Sequence, residues 1–510
     1  MVETTIQKTL QNVEKYLLDT FNEEALAGLA VGVVHQGDLV LFKGLGRTNI
    51  SQDTAVNEHS VFRIGSISKT FINLALMQLY EQGKFQLDDP VNNYLKTYQV
   101  LHDDPQAPPV TFRHMMTHTS GIGETRTNMD VMKALISNKP KEIGQKPGLP
   151  LPDLGTYYSG KLTPEVYPGQ KWAYANHAYA TLGQLIEDIS GMPFGEYVRE
   201  NIFKPLGMER TDFFMNESLE ADLAVGYQPL KKGKFQPVDF LNITIPAAGS
   251  VFSSVHEMSR YMAALMNKGE NAFGKIFKPE TLELMMTPQL DLDSGIFNMG
   301  LTYWVYDYAG HRVINHDGGW PGFVSSMFVA PDDEYGVIVF TNTMDRCPNR
   351  ISSTIMRKLL NIPEPVENTP AAGVLESPHD WPALMGYYGS RKGVLTNARL
   401  WMSFGNEIQV YIKDNHLALR GLVGPLAKGF TLHRVDQKDA MLYRGVIDKT
   451  AHSVRFLADE KGKITGIQFA QNEFFKRPFQ ESLRARVMAV LGVVGGLILF
   501  LCGRKISRKK

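Results

Sequence analysis

The sequence predicts an α+β fold: an antiparallel sheet flanked by helices, then a small all-β domain and a C-terminal transmembrane helix. Three observations predict it. Apolar runs broken by short turns, the pattern of β-hairpins, stand near both ends of the first 360 residues, with helical periodicity between them. Beyond a proline-rich stretch the pattern alternates with a period of two. Sixteen uncharged, mostly apolar residues then run from Val487 to Cys502 between clusters of Arg and Lys.

Taken along the chain, Ile6, Leu10, Val13 and Leu17 form one face of an amphipathic helix, while Glu3, Lys8, Glu14, Lys15 and Asp19 break any secretory-signal core. Residues 29–34 and 39–42 read as a hairpin across His35-Gln-Gly-Asp38. From Lys69 the chain is apolar on nearly every side until Gly83, which marks a buried helix and its end. Residues 87–109 are a loop rich in Asp and Pro. His114 and His118 have the i,i+4 spacing of zinc ligands, but neither the Glu of H-E-x-x-H nor an obvious third ligand accompanies them. A short helix ending at Thr119-Ser-Gly is expected there, with no metal. Residues 138–170, with Tyr157 and Tyr158, are irregular enough to be a pocket wall. Helices follow at 177–190, stopped by Gly191, and at 254–266. A second hairpin, 322–329 with 335–341, precedes a helix at 348–360. This first domain, 1–360, is followed by a linker at 361–382 holding Pro363, Pro365, Pro370, Pro378 and Pro382. Residues 383–480 carry the alternating strands, among them Ile408/Val410/Ile412 and Val454/Phe456.

Composition narrows the partners. Lys+Arg 53 balances Asp+Glu 53 over 510 residues, so no overall charge draws the chain to nucleic acid. Two cysteines, Cys347 and Cys502, make no disulfide framework. The segment 487–502 spans about 24 Å as a helix against the ~30 Å of a hydrocarbon core, and its flanking Arg and Lys can snorkel. It is expected to be a single-pass membrane anchor at 487–502, with the side of the membrane open.

The chemistry centres on Ser66-Ile-Ser-Lys69. A Ser and a Lys three apart share one helix face, which puts Ser66 at the exposed start of the buried helix with Lys69 beneath it. A serine hydroxyl is a poor nucleophile until a base takes its proton. Lysine serves when burial brings its pKa from ~10.4 toward neutrality, roughly 4 kcal/mol of differential solvation. Free amides at the helix start help hold an oxyanion. S-x-x-K also arises by chance, as at Ser507–Lys510, and Ser is a common helix cap. Two further clusters matter. Tyr174-Ala-Asn176 sets a proton-relaying phenol and an amide on one turn. His316-Asp317-Gly318-Gly319 lets a substrate backbone approach a strand edge, with the Gly319 amide as a second oxyanion donor.

In this order and at these separations, S-x-x-K, Y-x-N and H-x-G resemble the serine penicillin-recognising hydrolases, the β-lactamase/transpeptidase-like family of class C β-lactamases, D-alanyl-D-alanine carboxypeptidases, D-aminopeptidases and related esterases. The flanks Phe62-Arg-Ile-Gly-Ser-Ile-Ser-Lys-Thr-Phe, Met116-Thr-His-Thr-Ser-Gly-Ile, Pro205-Leu-Gly-Met-Glu-Arg-Thr and Gly318-Gly-Trp-Pro-Gly-Phe-Val match as well. The resemblance covers about residues 5–360. It implies an acyl-enzyme on Ser66, with Lys69 as its base or as the group that lowers the pKa of Tyr174. Tyr174 then carries the proton, Asn176 positions the acyl side chain, and His316 stands where the family has Lys or His. The amides of Ser66 and Gly319 form the oxyanion hole.

Asp317 departs from the family, which often has Thr there, and its carboxylate is expected to repel carboxylate substrates. The resulting expectation is a membrane-anchored serine hydrolase acting on a small molecule or peptide without a cofactor. Esterase, amidase or D-stereospecific peptidase is expected ahead of β-lactamase or carboxypeptidase. The other class is a non-catalytic membrane-anchored scaffold that keeps the fold; the intact Ser, Lys, Tyr, Asn and His favour the enzyme.

Overall fold

The computed structural model describes residues 2–123, 144–230, 233–290, 298–345, 347–363, 376–390, 407–423, 425–435, 439–447, 450–469, 472–485 and 488. The chain divides into two compact units, Met1–Glu364 and Pro365–Lys510.

The first unit begins with helix α1 (Val2–Glu23), then strands β1 (Gly28–His35) and β2 (Asp38–Asn49). Helices α2 (Ser68–Glu81), α3 (Asn176–Ser190) and α4 (Val255–Met266) follow. The chain returns to the sheet in β3 (Trp304–Tyr308), β4 (His311–Trp320), β5 (Phe323–Ala330) and β6 (Tyr335–Thr341), and ends in α5 (Cys347–Leu359). Among the described residues the sheet runs Asn298–Met299, β3, β4, β5, β6, β1, β2, Thr54–Ala55, antiparallel throughout. The first hairpin thus pairs with the last one, β1 against β6, from Leu29↔Thr341 to His35↔Tyr335.

Strand β1 carries no polar side chain from Gly28 to Val34 and is buried over that stretch, because both faces of the sheet are covered. Leu29, Val31 and Val33 pack with Val13 and Leu17 of α1 and Ile351 and Ile355 of α5. Ala30 and Val34 turn the other way, into the larger core with α2, α3 and α4. Helix α2 is the centre of that layer: every residue from Ser68 to Met77 is buried, Lys69 and Asn73 included, as a helix apolar on nearly every side requires. Phe71 meets Phe203 and Tyr261 with ring centroids 5.0 and 4.6 Å apart. Helix α3 stops where Gly191 takes a left-handed φ of 76°.

The second unit is an antiparallel sheet of nine strands among the described residues. Its two edge strands, Phe430–Thr431 and His433–Arg434, are separated in sequence only by Leu432, so the sheet curls back on itself like a barrel. Tyr388, Ile408, Leu417, Val454, Phe456, Ile467 and Phe474 fill it. Trp381 belongs to the same core, so the stretch expected as linker is structured from Pro378 onward, in the short helices Pro378–Asp380 and Trp381–Leu384. Residues 364–375 of that stretch lie outside the described residues.

The transmembrane helix expected at 487–502 does not stand. Among the described residues no helix is long and apolar enough to cross a membrane, and apart from Met488 that segment lies outside the described residues. Sixteen residues reach only about 24 Å of the ~30 Å needed. The single-pass membrane localisation falls with the helix.

Candidate active site

The sequence brings Ser66 to the sheet through a tight turn. Residues Gly65–Ile67 form a 3-10 turn running directly into α2. Gly65 has φ +53, and a Cβ there would lie 2.5 Å from the Gly319 nitrogen; one on Gly318 would lie 1.9 Å from the Ile64 carbonyl oxygen. Both positions must be glycine for the turn to rest on β4. Ser325 Oγ clamps the contact by donating to the Ile64 carbonyl at 2.7 Å. On the other side, Ser68 Oγ donates to the Gly65 carbonyl at 2.6 Å and accepts from the Val251 amide at 2.9 Å.

Lys69 lies one helical turn below, with none of its surface exposed. Its Nζ is 3.2 Å from Ser66 Oγ, 2.8 Å from Asn176 Oδ1 and 2.5 Å from the Ala248 carbonyl oxygen. It also lies over the Tyr174 ring at 4.8 Å and the Tyr179 ring at 5.3 Å. The geometry has a chemical consequence. An amide oxygen and a carbonyl oxygen can only accept, so both point N–H bonds of Lys69 at themselves. Ser66 Oγ is the hydroxyl that lies within hydrogen-bond distance of the same nitrogen. Burial of Tyr179 drives its phenol above the ordinary tyrosine range, so the ring beside Lys69 is a neutral wall.

Tyr174 and Asn176 sit where α3 begins, Asn176 being its first residue. Both are buried, and the Lys69–Asn176 bond ties this turn to α2. His118 packs on Tyr174, with ring centroids 4.3 Å apart at 32°. By spacing alone the sequence offers His118 as a zinc ligand beside His114. The structure separates the two: His114 Nδ1 accepts from the Thr111 amide, and His118 Nδ1 accepts from the Ala175 amide. The signal that marked His118 was present, in the run Met116-Thr-His-Thr-Ser-Gly, but that run carries no spacing to Tyr174 from which contact could be read. The Ala248 carbonyl, a backbone group, had no signal at all.

His316 to Gly319 form part of β4 rather than a turn. Strand β3 pairs with β4 only as far as Asn315, so from His316 onward one edge of β4 has no strand beside it among the described residues. Residues alternate across a strand. Gly318 faces Ile64 and the Ser66 turn, and His316 shares that face, buried, with Nδ1 donating to the Asp317 carbonyl at 2.7 Å. Gly319 is exposed at the edge, its nitrogen beside the turn.

Asp317 points the opposite way. Its carboxylate accepts from Asn315 Nδ2 at 3.1 Å and from Asn349 Nδ2 of α5 at 2.8 Å, on the far face of the sheet. Burial pushes the carboxyl above its usual range, against the pull of Ser326, Asn315 and Asn349. The structure therefore turns the Asp317 carboxylate toward α5 rather than toward the Ser66 turn, so the placement that the expected repulsion of carboxylate substrates assumed is not the one found. A cation lies near the end of the same strand instead. Arg63 is buried against the rings of Trp320, Phe240 and Phe252, at 4.8, 5.0 and 5.2 Å, and donates to the Leu241 carbonyl at 2.6 Å. Burial lowers its pKa to about 9, which leaves it charged at neutral pH.

The chain belongs to the β-lactamase family, a family of serine hydrolases: residues 6–358 match the family model described as Beta-lactamase. PbpX of Bacillus subtilis (strain 168) is 27% identical over 357 residues, 69% of this chain and 78% of PbpX. Two further relatives are matched over 65% and 63% of their own length. The octameric penicillin-binding protein homologue from Pyrococcus abyssi superposes with a TM-score of 0.61 at 23% identity, covering 92% of this chain and all of that one. EstCE1, a hydrolase with promiscuous acyltransferase activity, gives 0.59 at 20% identity over 70% of this chain and 99% of its own. These structural likenesses carry the fold.

Proposed function

We propose that the protein is a serine hydrolase that cleaves an ester or amide, including a D-peptide bond, through an acyl-enzyme on Ser66. The observation that supports this most is the position of Lys69 Nζ, buried and bonded to Ser66 Oγ, Asn176 and the Ala248 carbonyl together. In this reading Ser66 Oγ attacks the substrate carbonyl carbon and its proton passes to Lys69. The amides of Ser66 and Gly319 hold the oxyanion. As the tetrahedral intermediate collapses, the bond to the leaving oxygen or nitrogen breaks, and Tyr174 delivers the proton to that atom. Water then attacks the acyl carbon, with its proton taken by the same Lys69–Tyr174 pair, and Ser66 recovers its hydrogen. Asn176 and His316 orient the substrate.

With Asp317 on the far face, nothing negative from that residue opposes a carboxylate ligand, so β-lactams rank as test ligands beside esters. Proteins named for penicillin binding and a hydrolase with acyltransferase activity both occur on this fold, which leaves the choice to the site. The test is intact-mass spectrometry of the full chain and its Ser66→Ala variant after a fluorophosphonate or benzylpenicillin. One fluorophosphonate adduct, lost in the variant, is the expected result. A penicilloyl adduct on the same serine adds carboxylate ligands to the substrate class. No adduct from either reagent on folded protein favours the non-catalytic scaffold.

A further inference from the structure

His118 has no part in the bond-making proposed for Ser66, Lys69 and Tyr174, yet its surroundings are unusually constrained. It is fully buried and holds a left-handed φ of 58°, a region that a side chain enters only at a cost. Its carbonyl accepts from the Ala173 amide at 2.8 Å, and its Nδ1 accepts from the Ala175 amide at 3.2 Å. One residue therefore binds both amides that bracket Tyr174. The imidazole lies on the Tyr174 ring and also meets Tyr179 and Trp172, at 5.2 and 5.9 Å. A backbone N–H can donate only to an unprotonated ring nitrogen, so the bond fixes Nδ1 as the acceptor.

The start of α3 needs such support. Ala175 stands at the cap position and has no side chain to close the helix. Asn176, next to it, holds Lys69. A shift of this turn would move the proposed proton carrier and the anchor of the proposed base together, and small misplacements of reacting groups cost about 100-fold in rate.

We propose that His118 is a positioning residue that fixes the Tyr174–Asn176 turn through its Nδ1 acceptor; its effect on rate rests on the hydrolase reading given above, while the holding itself does not. Two variants separate acceptor from ring. His118→Asn keeps a side-chain acceptor and tolerates positive φ. His118→Phe keeps an aromatic face and has no acceptor.

The full-length protein is labelled with 15N-alanine, the Ala175 resonance is assigned with Ala175→Gly, and its amide exchange is measured beside kcat and KM for p-nitrophenyl butyrate. In His118→Asn, protection and kcat are expected to stay within about 5-fold of wild type. In His118→Phe both are expected to fall about 100-fold, with KM within about 2-fold. Equal losses in the two variants, or no change in His118→Phe, overturn the proposal. Lost exchange protection with unchanged kcat overturns the role in the reaction. If His118→Phe does not fold, His118→Asn decides alone: retained protection supports the proposal and lost protection overturns it. A wild-type protein that neither turns over the ester nor reacts with a fluorophosphonate sinks the hydrolase reading, while the exchange pattern still decides whether His118 holds the turn.

Discussion

At Lys69, stability and function pull in opposite directions. An amine enclosed on all sides gives up its hydration, and the partners that compensate are Ser66 Oγ, Asn176 Oδ1 and the Ala248 carbonyl. Lys69→Met keeps most of the volume and removes the amine. The expected outcome is a melting temperature equal to or above wild type, with fluorophosphonate labelling of Ser66 slowed by about 100-fold or more, the contribution typical of a positioned base. Labelling at the wild-type rate would exclude Lys69 from the proton path. Asp317 gives the contrasting case. Its carboxylate bonds to Asn349 of α5 on the far face of the sheet, so Asp317→Thr is expected to leave the ratio of neutral-ester to carboxylate-substrate turnover within about 2-fold, since the two-residue alternation of the strand turns that charge away from the Ser66 face. Its stability effect depends on pH. The folded-state pKa lies above 3.8, so folding disfavours the charged form, fully so at neutral pH. That penalty fades as pH falls through the folded pKa and is gone below 3.8. Wild type should therefore gain stability relative to Asp317→Thr on acidification, measured by urea denaturation at a series of pH values; a gain in the opposite direction would contradict the assigned environment.

At the level of elements, the contact of the Ser66 turn with β4 is the junction on which the site depends. A methyl group on Gly318 would meet the Ile64 carbonyl at 1.9 Å and Ser325 Oγ at 2.3 Å, and the carbonyl cannot move away without lifting Ser66. Gly318→Ala is expected to destabilise the protein by about 2–4 kcal/mol and to slow Ser66 labelling by about 10-fold or more. Gly83→Ala is the control, since it also has positive φ but nothing within 4 Å. It should cost about 1 kcal/mol and leave labelling unchanged.

The same junction shows what sequence could and could not reveal. Helix α3 was legible to within one residue, because its apolar spacing and Gly191 are local signals. The extent of strand β4 was not, because His-Asp-Gly-Gly signals glycines at a strand edge but not the packing against Ile64 that demands them. The effect expected of Asp317 came from its place in the family motif, whereas the two-residue alternation of a strand sends its side chain to the opposite face. The approach of Ser66, Lys69, Tyr174 and Asn176 was legible only through the motif order. Their meeting depends on contacts more than a hundred residues apart, such as Lys69 with Asn176 and Lys69 with Ala248.

Across the whole molecule, the proposed chemistry lies in the first unit alone: Ser66, Lys69, Tyr174, Asn176, His316 and Gly319 all fall within Met1–Glu364. That unit has a large core of its own around α2, α3 and α4, and its sheet is closed by pairing β1 with β6. The second unit has a separate core around Tyr388, Ile408 and Phe456. A chain that buries its own apolar residues and completes its own sheet has what independent folding requires. Residues 1–363, expressed alone, are therefore expected to unfold cooperatively and to label at Ser66 with a fluorophosphonate within about 3-fold of the full-chain rate, because the acceptors of Lys69 and the glycines of the turn all lie inside the fragment. Residues 376–485, expressed separately, should give the circular dichroism spectrum of a β-protein and no labelling. A folded 1–363 fragment with intact secondary structure and labelling reduced 100-fold would assign the second unit a direct part in building the site, and would move the search for substrate contacts to that unit.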